Sequence, residues 1–198
     1  MIKLFFLLII MYFLSACTVV KPHISEYMIN PVVTENKSIG SCKKHSLKVL
    51  QSFSDSSLMS TKMYYVLGDY ERDAFTQSQW AESPNSAITN RILSMLQNSK
   101  IFSTVQVSKS RTQSDLFLET NIEDFAQYFS KDEKKSYVKV IITMTLLDTN
   151  TKKILASKTF EKRVDSKSID AQGGVVALNS ALVSILLESQ KWMAGACK

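Results

Sequence analysis

The side chains best suited to chemistry are few and widely spaced in this chain of 198 residues. It contains three cysteines and two histidines, His23 and His45. Paired acid and base catalysis needs two carboxyl groups held within about 5 to 9 Å. The carboxylates closest together in the sequence would not meet this condition, because alternation along a strand would place them on two opposite faces. These carboxylates are Asp115, Glu119, Glu123 and Asp124.

No catalytic or nucleotide-binding motif organises these residues. The chain has no glycine-lysine phosphate loop, GxSxG elbow, HExxH pair or Rossmann fingerprint, and Gly173-Gly174 lacks the residues that would support such a site. A hydrolase would depend on His45 alone, held beside a carboxylate in a deep pocket. Two scattered histidines and three cysteines do not supply a metal site. We therefore expect a protein that is not an enzyme, with no metal and no cofactor apart from covalent acyl chains.

The beginning of the chain predicts that Cys17 is modified. Lys3 is followed by eleven apolar residues, Leu4–Leu14. As a helix they would rise about 16 Å, roughly half the hydrocarbon thickness, which is typical of a signal peptide and too short for a membrane span. Leu14-Ser15-Ala16-Cys17 resembles the bacterial lipobox. The resemblance implies that residues 1–16 are removed and that Cys17 carries acyl chains, which anchor the protein firmly.

The export signal also determines the compartment. Thr18 stands where inner-membrane lipoproteins of enterobacteria have Asp, so the resemblance points to an outer-membrane lipoprotein facing the periplasm. The alternative is an ordinary secretory signal that ends near a cysteine. In an oxidising compartment, Cys42 and Cys197 would pair or remain two buried thiols. We expect the disulfide, which would contribute up to roughly 5 kcal/mol.

Composition indicates one folded domain behind a tether. The chain is 45% hydrophobic and 10% aromatic, which excludes disorder, and its length suits one core. Residues 17–45 are predicted to be the lipidated N-terminus and a tether, and residues 46–198 a single domain. The net charge of +6 is dispersed, with no basic recognition helix, so we expect no nucleic acid partner. Attraction to anionic lipid headgroups remains compatible with this charge.

Apolar periodicity predicts an α+β fold, with a mainly antiparallel sheet and two helices packed on one of its faces. Ser83-Pro84 is typical of a helix start, and the first helix should end near Ser99. Asp148 to Thr151 has the composition of a hairpin turn. Strands are predicted around 47–51, 63–67, 102–107, 116–122, 138–146 and 154–160, and the second helix over 171–193.

The second helix carries two apolar stripes. The broader stripe should face the core: Val175, Leu178, Leu182, Ile185, Trp192 and Met193. The narrower stripe consists of Val176, Val183 and Leu187. It is either a contact surface for a partner helix or acyl chains, or it is covered by neighbouring loops. The helix is too polar and too short in its apolar part to be a membrane span.

Several segments, in this order behind the lipobox, resemble the ABC-type transport auxiliary lipoprotein family. Members of this family act beside an MCE-domain protein and an ABC permease. The chain departs from the family at Gln79, where Arg is frequent, and in its Cys42/Cys197 pair. The segments that carry the resemblance are Tyr64-Tyr65-Val66-Leu67, Gln79-Trp80-Ala81-Glu82-Ser83-Pro84, the helix from Ile88 to Leu96, Ile101-Phe102-Ser103-Thr104-Val105, Asp115-Leu116-Phe117-Leu118-Glu119, Leu155-Ala156-Ser157-Lys158-Thr159-Phe160 and the last helix with Trp192.

The resemblance implies a non-catalytic auxiliary component of an ABC/MCE transport system that moves phospholipid or other hydrophobic molecules across the envelope. ATP hydrolysis would belong to a partner. Trp80 and Pro84 would shape the start of the first helix, although Trp80 would serve equally as a core residue. The rival hypothesis is an envelope-assembly lipoprotein, either a partner in lipopolysaccharide assembly or an activator of a peptidoglycan synthase.

Overall fold

The computed structural model describes residues 22–33 and 42–197, so Cys17 and the predicted signal peptide lie outside the described residues. The described residues include a 3₁₀ turn at Ser56–Met59. The nine strands are β1 (Ser25–Tyr27), β2 (Ser46–Val49), β3 (Phe53–Ser54), β4 (Lys62–Leu67), β5 (Glu71–Trp80), β6 (Thr104–Val107), β7 (Leu116–Phe129), β8 (Ser136–Asp148) and β9 (Ile154–Asp165), and the two helices are α1 (Pro84–Ser99) and α2 (Ala171–Ala194).

Strand β7 organises the sheet. One of its edges pairs with β8 over its whole length, and β8 pairs with β9, so these three strands form an antiparallel meander. The other edge of β7 receives β2, β3 and β4 one after another. Beyond them, β6 pairs with β2, while β5 and then β1 continue from β4. With 14 residues, β7 is about 46 Å long, which leaves room for three short strands along one edge.

The predicted α+β class is confirmed, but the expectation of a mainly antiparallel sheet is wrong. Among the described residues, five of the eight strand pairings are parallel. The reason is that β2, β3 and β4 all run in the direction of β7. The chain comes back to begin β7 only after passing through β5, α1 and β6, which together form a long crossover.

Both helices cover one face of the sheet and enclose a single core. Alternate residues of β7 and β8, such as Leu118 and Val140, point into this core and are fully buried. Phe160 of β9 lies against Trp192 of α2 with ring centroids 5.8 Å apart. The opposite face of the same strands carries polar side chains that are half-buried or exposed, Glu119, Asn121, Lys139, Thr143 and Thr145 among them.

Helix α1 begins and ends where the sequence predicts. Pro84 occupies its first turn, where its missing N–H leaves no hydrogen bond unmade, and Ser83 is the N-cap residue. Lys100 follows the last turn with a φ of 55°, a left-handed conformation that ends the helix. Ile88, Ile92 and Leu96 are fully buried, as their spacing on one face requires.

Helix α2 is the second predicted helix and belongs to the core. Asp170 is its N-cap residue, and the carboxylate accepts a hydrogen bond of 2.7 Å from the amide of Gly173. By length and composition α2 is apolar enough to cross a membrane, but 50% of its most apolar window is buried inside this domain. Leu182 and Ile185 are fully buried against the sheet, so α2 packs as the core helix of a domain.

Three strands were not predicted from the sequence: β1, β3 and β5. β3 has only two residues. β5 lies in a stretch to which no element was assigned, because seven of its ten side chains are polar and five of these are exposed. β1 lies inside the predicted tether and pairs with β5, with Tyr27 opposite Trp80. The folded part of the chain therefore begins before residue 46. β1 was not predicted because a three-residue edge strand has no recognisable periodicity.

Candidate interaction surfaces

The structure places the three residues of the narrow α2 stripe in different environments. Val176 is 56% exposed, whereas Val183 and Leu187 are half-buried. The stripe is thus not a uniform open face. Residues of the chain's N-terminal part bind Asn179, which follows Val176 by three residues in α2.

This N-terminal part, residues 27–33, is here called the strap. Its side chains alternate between the protein and the solvent, as in an extended strand. Ile29 is 3% exposed and Pro31 is buried, and Tyr27 and Val33 pack against the core. Between them, Met28 is 65% exposed and Val32 is 81% exposed.

Hydrogen bonds from both helices hold the strap. The side-chain carbonyl oxygen of Asn179 in α2 accepts from the amide of Asn30 at 2.7 Å, and its amide group donates to the carbonyl of Met28 at 3.4 Å. In α1, Nε of Arg91 donates to the carbonyl of Ile29 at 3.0 Å. The strap therefore binds across the two helices, and this part of the predicted tether is fixed to the domain.

The direction of β1 defines where the chain enters the domain. β1 runs parallel to β5, and β5 runs antiparallel to β4, which is parallel to β7. β1 is therefore antiparallel to β7. Residues 22–24, which directly precede β1, lie towards the end of the sheet at which β7 finishes.

The structure links Cys42 and Cys197 by a disulfide, with Cα atoms 5.0 Å apart and a separation of 155 residues along the chain. Cys42 is fully buried just before β2, and Cys197 follows the end of α2. The bridge joins the turn before β2 to the end of α2. This geometry lies within the range that disulfides adopt without movement of the backbone.

The two ends of the sheet differ in charge. We call the loops 42–45, 100–103, 108–115 and 149–153, near the start of β7, the basic end. The loops 68–70, 130–135 and 166–170, near the finish of β7, are the balanced end. The basic end has seven basic residues and one acidic residue: Lys43, Lys44, Lys100, Lys109, Arg111, Lys152, Lys153 and Asp115. The balanced end has four of each: Lys131, Lys134, Lys135, Lys167, Asp69, Asp132, Glu133 and Asp170.

Two of the four basic side chains at the balanced end form ion pairs. Lys131 lies 3.2 Å from Asp69, and Lys134 lies 4.0 Å from Asp132. Across the ranges 22–33 and 42–197, none of the seven basic side chains of the basic end forms an ion pair. Much of the chain's net charge of +6 is thus concentrated at one end of the molecule.

His45 lies on the surface of the basic end, and its side chain is exposed. The nearby carboxylate of Asp115 accepts from both the amide and the hydroxyl of Ser46, each at 2.7 Å. These bonds hold the pKa of Asp115 below its ordinary value. Since Asp115 is occupied by Ser46 and His45 is exposed, the geometry gives no support to a hydrolase. In the described part of the chain, no group of three or more His, Cys, Asp or Glu is placed to hold a metal.

The open face of the sheet contains an ordered polar cluster near the balanced end. Tyr128 and Tyr137 stack with centroids 5.2 Å apart, and the Tyr128 hydroxyl donates to Asp124 at 2.6 Å. Burial raises the pKa of Tyr128 to about 12, and the bond to Asp124 adds to the shift. Lys139 pairs with Asp124 at 2.8 Å. These groups satisfy one another, so the cluster stabilises the sheet face and leaves no group aimed at a ligand.

The residues singled out near the first helix have structural roles. Trp80 is 3% exposed and lies 5.9 Å from Phe125, between ring centroids, so it is a core residue. Pro84 is buried at the start of α1. Gln79, the position where the family often has Arg, donates to Glu26 of β1 at 2.7 Å and so supports the pairing of β1 with β5.

Comparison with known families agrees with this architecture. A family model described as ABC-type transport auxiliary lipoprotein component matches residues 27–188. The chain belongs to this family. The match begins in the strap and ends within α2, so it includes the strap that binds both helices. As a member, the protein is an auxiliary lipoprotein component of ABC-type transport.

Solved structures share the fold at low sequence identity. The protein XCC0632 from Xanthomonas campestris is 18% identical, with 86% of this chain and 95% of that chain covered and a TM-score of 0.76. A second structure, of an uncharacterized protein, is 14% identical over 86% of this chain and 98% of that one, with a TM-score of 0.64. The PelC dodecamer from Paraburkholderia phytofirmans is 11% identical over 83% and 97%, with a TM-score of 0.51. At these identities the likeness concerns the fold alone. No curated protein matches the chain in sequence.

Sequence reasoning missed the concentration of charge at the basic end. Its cations come from four loops that are far apart in the sequence, and no run contains more than two of them. Only the parallel addition of β2 and β6 brings these loops together. The basic residues are visible in the composition of each loop. Their concentration at one end can be predicted only if the order and direction of the strands are known.

Proposed function

We propose that this chain is the outer-membrane auxiliary lipoprotein of an ABC/MCE transport system that moves phospholipid or other hydrophobic molecules across the envelope. The observation that carries the proposal is the family match over residues 27–188, behind a lipobox that ends in Cys17. The domain itself binds or positions other molecules of the system, and ATP hydrolysis by a partner supplies the energy for transport.

The link between anchor and domain is short. Eight residue steps separate Cys17 from Ser25, the first residue of β1, and they span at most about 28 Å. A tether that ran to residue 45 would reach much farther. Acylation of Cys17 would therefore hold the domain close to the bilayer, because β1 and the strap are bound to it.

The anchor also orients the domain. Residues 22–24, which directly precede β1, lie towards the balanced end, so we infer that the basic end points away from the anchoring bilayer. Unpaired cations on that end can attract an acidic surface over a distance of about 10 Å at moderate salt. This arrangement supports a role in which the basic end faces the other components of the transport system.

Co-purification tests the proposal. The full chain, expressed with a tag after Lys198 and cross-linked in the native envelope, should bring down an ABC permease, its ATPase and an MCE-domain protein. The same chain with Cys17→Ala is the control, since it lacks the acceptor thiol and should lose the membrane fraction. Recovery of an outer-membrane barrel for lipopolysaccharide assembly, or of a peptidoglycan synthase, would favour the rival class of envelope-assembly lipoprotein.

A further inference from the structure

A cleft of about 460 Å³ opens in the basic end. The loop 108–115, the turn 149–153 and the start of β7 form its walls. Three basic residues from separate segments line it: Lys48, Arg111 and Lys152. Arg111 and Lys152 are exposed, so their charged groups can reach a ligand in the cleft.

An apolar row begins at the wall of this cleft. Phe117 lines the cleft and is paired with Leu147 of β8, which is in turn paired with Ile154 of β9. Ile154 is 63% exposed, and the adjacent Leu155 is 44% exposed. We call Phe117, Leu147 and Ile154 the apolar row. It runs across three strands, and at its outer end it is open to solvent.

The wall contains a buried polar group without a partner. Ser114 lines the cleft and is 7% exposed, and its hydroxyl makes no hydrogen bond to any described residue. Because this oxygen is covered by protein atoms, it belongs to the interior of the wall and does not itself contact a ligand in the cleft.

Lys48 holds the loop 108–115 in place and adds a positive charge to the cleft. Its ammonium group donates to the carbonyls of Ser110 at 3.1 Å and Thr112 at 2.8 Å, and lies 5.7 Å from the Phe117 ring centroid. An ammonium group has three donors, so one remains after these two bonds. The carboxylate of Asp115, which also lines the cleft, is already bound by Ser46.

We propose that this cleft binds the phosphate-bearing headgroup of an anionic phospholipid, with the apolar row carrying the first part of an acyl chain. The inference rests on the proposed function, because it assigns a chemical class to the transported molecule. Charge complementarity supports it, since the three cations outnumber the single carboxylate of Asp115 in the lining and carry charge-assisted donors that match a phosphate. An acidic protein segment would satisfy the cations but would leave the apolar row uncovered.

The position of the cleft determines which lipid reaches it. The basic end points away from the side on which the chain enters, so the cleft is turned from the bilayer that holds the Cys17 anchor. The bound lipid is therefore one that the transport system delivers or receives, and not a headgroup of the anchoring leaflet.

Photo-labelling of the purified full chain in non-ionic detergent tests this inference. The probe is phosphatidylglycerol with a diazirine in its acyl chain, and phosphatidylcholine with the same chain is the comparison. Mass spectrometry of peptides should place the label on residues 147–155. Two double variants with equal loss of charge are compared: Arg111→Gln with Lys152→Gln at the cleft, and Lys134→Gln with Lys135→Gln at the balanced end.

We expect the cleft variant to reduce labelling by phosphatidylglycerol about tenfold, because each lost phosphate contact contributes a factor of a few. The balanced-end variant should label like the wild type, and Ile154→Asn should also lower the yield. Equal labelling by both lipids, labelling spread over the surface, or no change in the cleft variant would overturn the inference. Glycerol 3-phosphate that removed the label at a concentration equal to that of the lipid would show a site for a free anion and would overturn the inference.

The failure of this inference can be distinguished from failure of the proposed function. The cleft variant should still co-purify with the transport components if the proposed function is correct and only the lipid site is wrong. If the wild type does not co-purify with them, the proposed function fails whatever the labelling shows.

Discussion

The two ends of the sheet are held together by different means. At the balanced end, the turns carry paired charges, and α2 begins with an N-cap bond from Gly173 to Asp170. At the basic end, the charges are unpaired, and the Cys42–Cys197 disulfide closes the structure beside them. At the balanced end, ion pairs and a helix cap bind part of the charged groups within the domain. At the basic end, a covalent bond offsets the repulsion between unpaired cations.

Such a division is physically reasonable. Like charges close together destabilise a compact state, and exposed ion pairs contribute little to offset this. A surface that must attract an acidic or anionic partner keeps its cations available. The disulfide then stabilises the fold without neutralising any of them.

The largest expected effect comes from removing the bridge. Cys42→Ser with Cys197→Ser should lower the free energy of unfolding by about 4 kcal/mol, because the unfolded chain regains the freedom that a 155-residue separation restricts. Urea unfolding of oxidised wild type, reduced wild type and the double variant measures it. The reduced wild type should match the variant. A loss below about 1 kcal/mol would show that the basic end does not depend on the bridge.

A smaller effect is expected from a methyl group at the start of α2. Gly173→Ala would place a Cβ against the carbonyl oxygen of Ser168, a backbone atom that cannot move easily. We expect a loss of about 2 kcal/mol, even though alanine favours the helix. Gly195→Ala is the matched control, because its Cβ would meet its nearest atom at an ordinary 3.7 Å. Similar unfolding curves for both variants would contradict the tight packing of this end.

The N-cap at the balanced end should give a pH-dependent effect. The amide of Gly173 and then the hydroxyl of Ser168 hold the pKa of Asp170 below its ordinary value. A lowered pKa means that the stabilisation is complete above the unfolded value of about 3.9 and is lost as the pH falls through the folded value. Asp170→Ala should cost about 1 kcal/mol at pH 7. This difference from wild type should disappear in acid, and a difference that persisted there would exclude the charge as its cause.

The smallest effect on stability is expected from the exposed charges themselves. Lys152→Gln with Lys153→Gln and Lys134→Gln with Lys135→Gln should each change the free energy of unfolding by less than about 0.5 kcal/mol. They should differ in binding, since only the first pair belongs to the basic end. Association of each variant with vesicles containing phosphatidylglycerol, measured in the Cys17→Ala background that lacks the acyl anchor and followed as salt is raised, separates them. Equal salt dependence of the two variants would abolish the distinction between the ends.

Much of the fold could be predicted from local pattern, and much of the surface could not. α1, α2 and the three strands of the meander have long apolar periodicities that local sequence determines. β5 has too few apolar side chains for a strand to be predicted from periodicity, and its position in the sheet depends on pairing with β4. The parallel addition of β2, β3 and β4 to β7 depends on contacts distant in sequence, which is why the expected antiparallel sheet was wrong.

The candidate sites show the same limit. Cys17 was assigned from a contiguous motif, and the pairing of Cys42 with Cys197 from a count of cysteines, because both arguments need no topology. The cleft of Lys48, Arg111 and Lys152 joins residues from three separate segments, so no spacing in the sequence predicts it. The narrow stripe of α2 was predicted, but the strap that binds Asn179 of the same helix was assigned to the tether.

Site-specific cross-linking in the native envelope tests the central claim most directly. A photo-reactive amino acid is placed at Lys44 of the basic end in one variant and at Lys134 of the balanced end in another. The account predicts adducts with a component of an ABC transport system from position 44 and none from position 134. Adducts from position 134 alone, equal adducts from both positions, or adducts only with an envelope-assembly protein would contradict it.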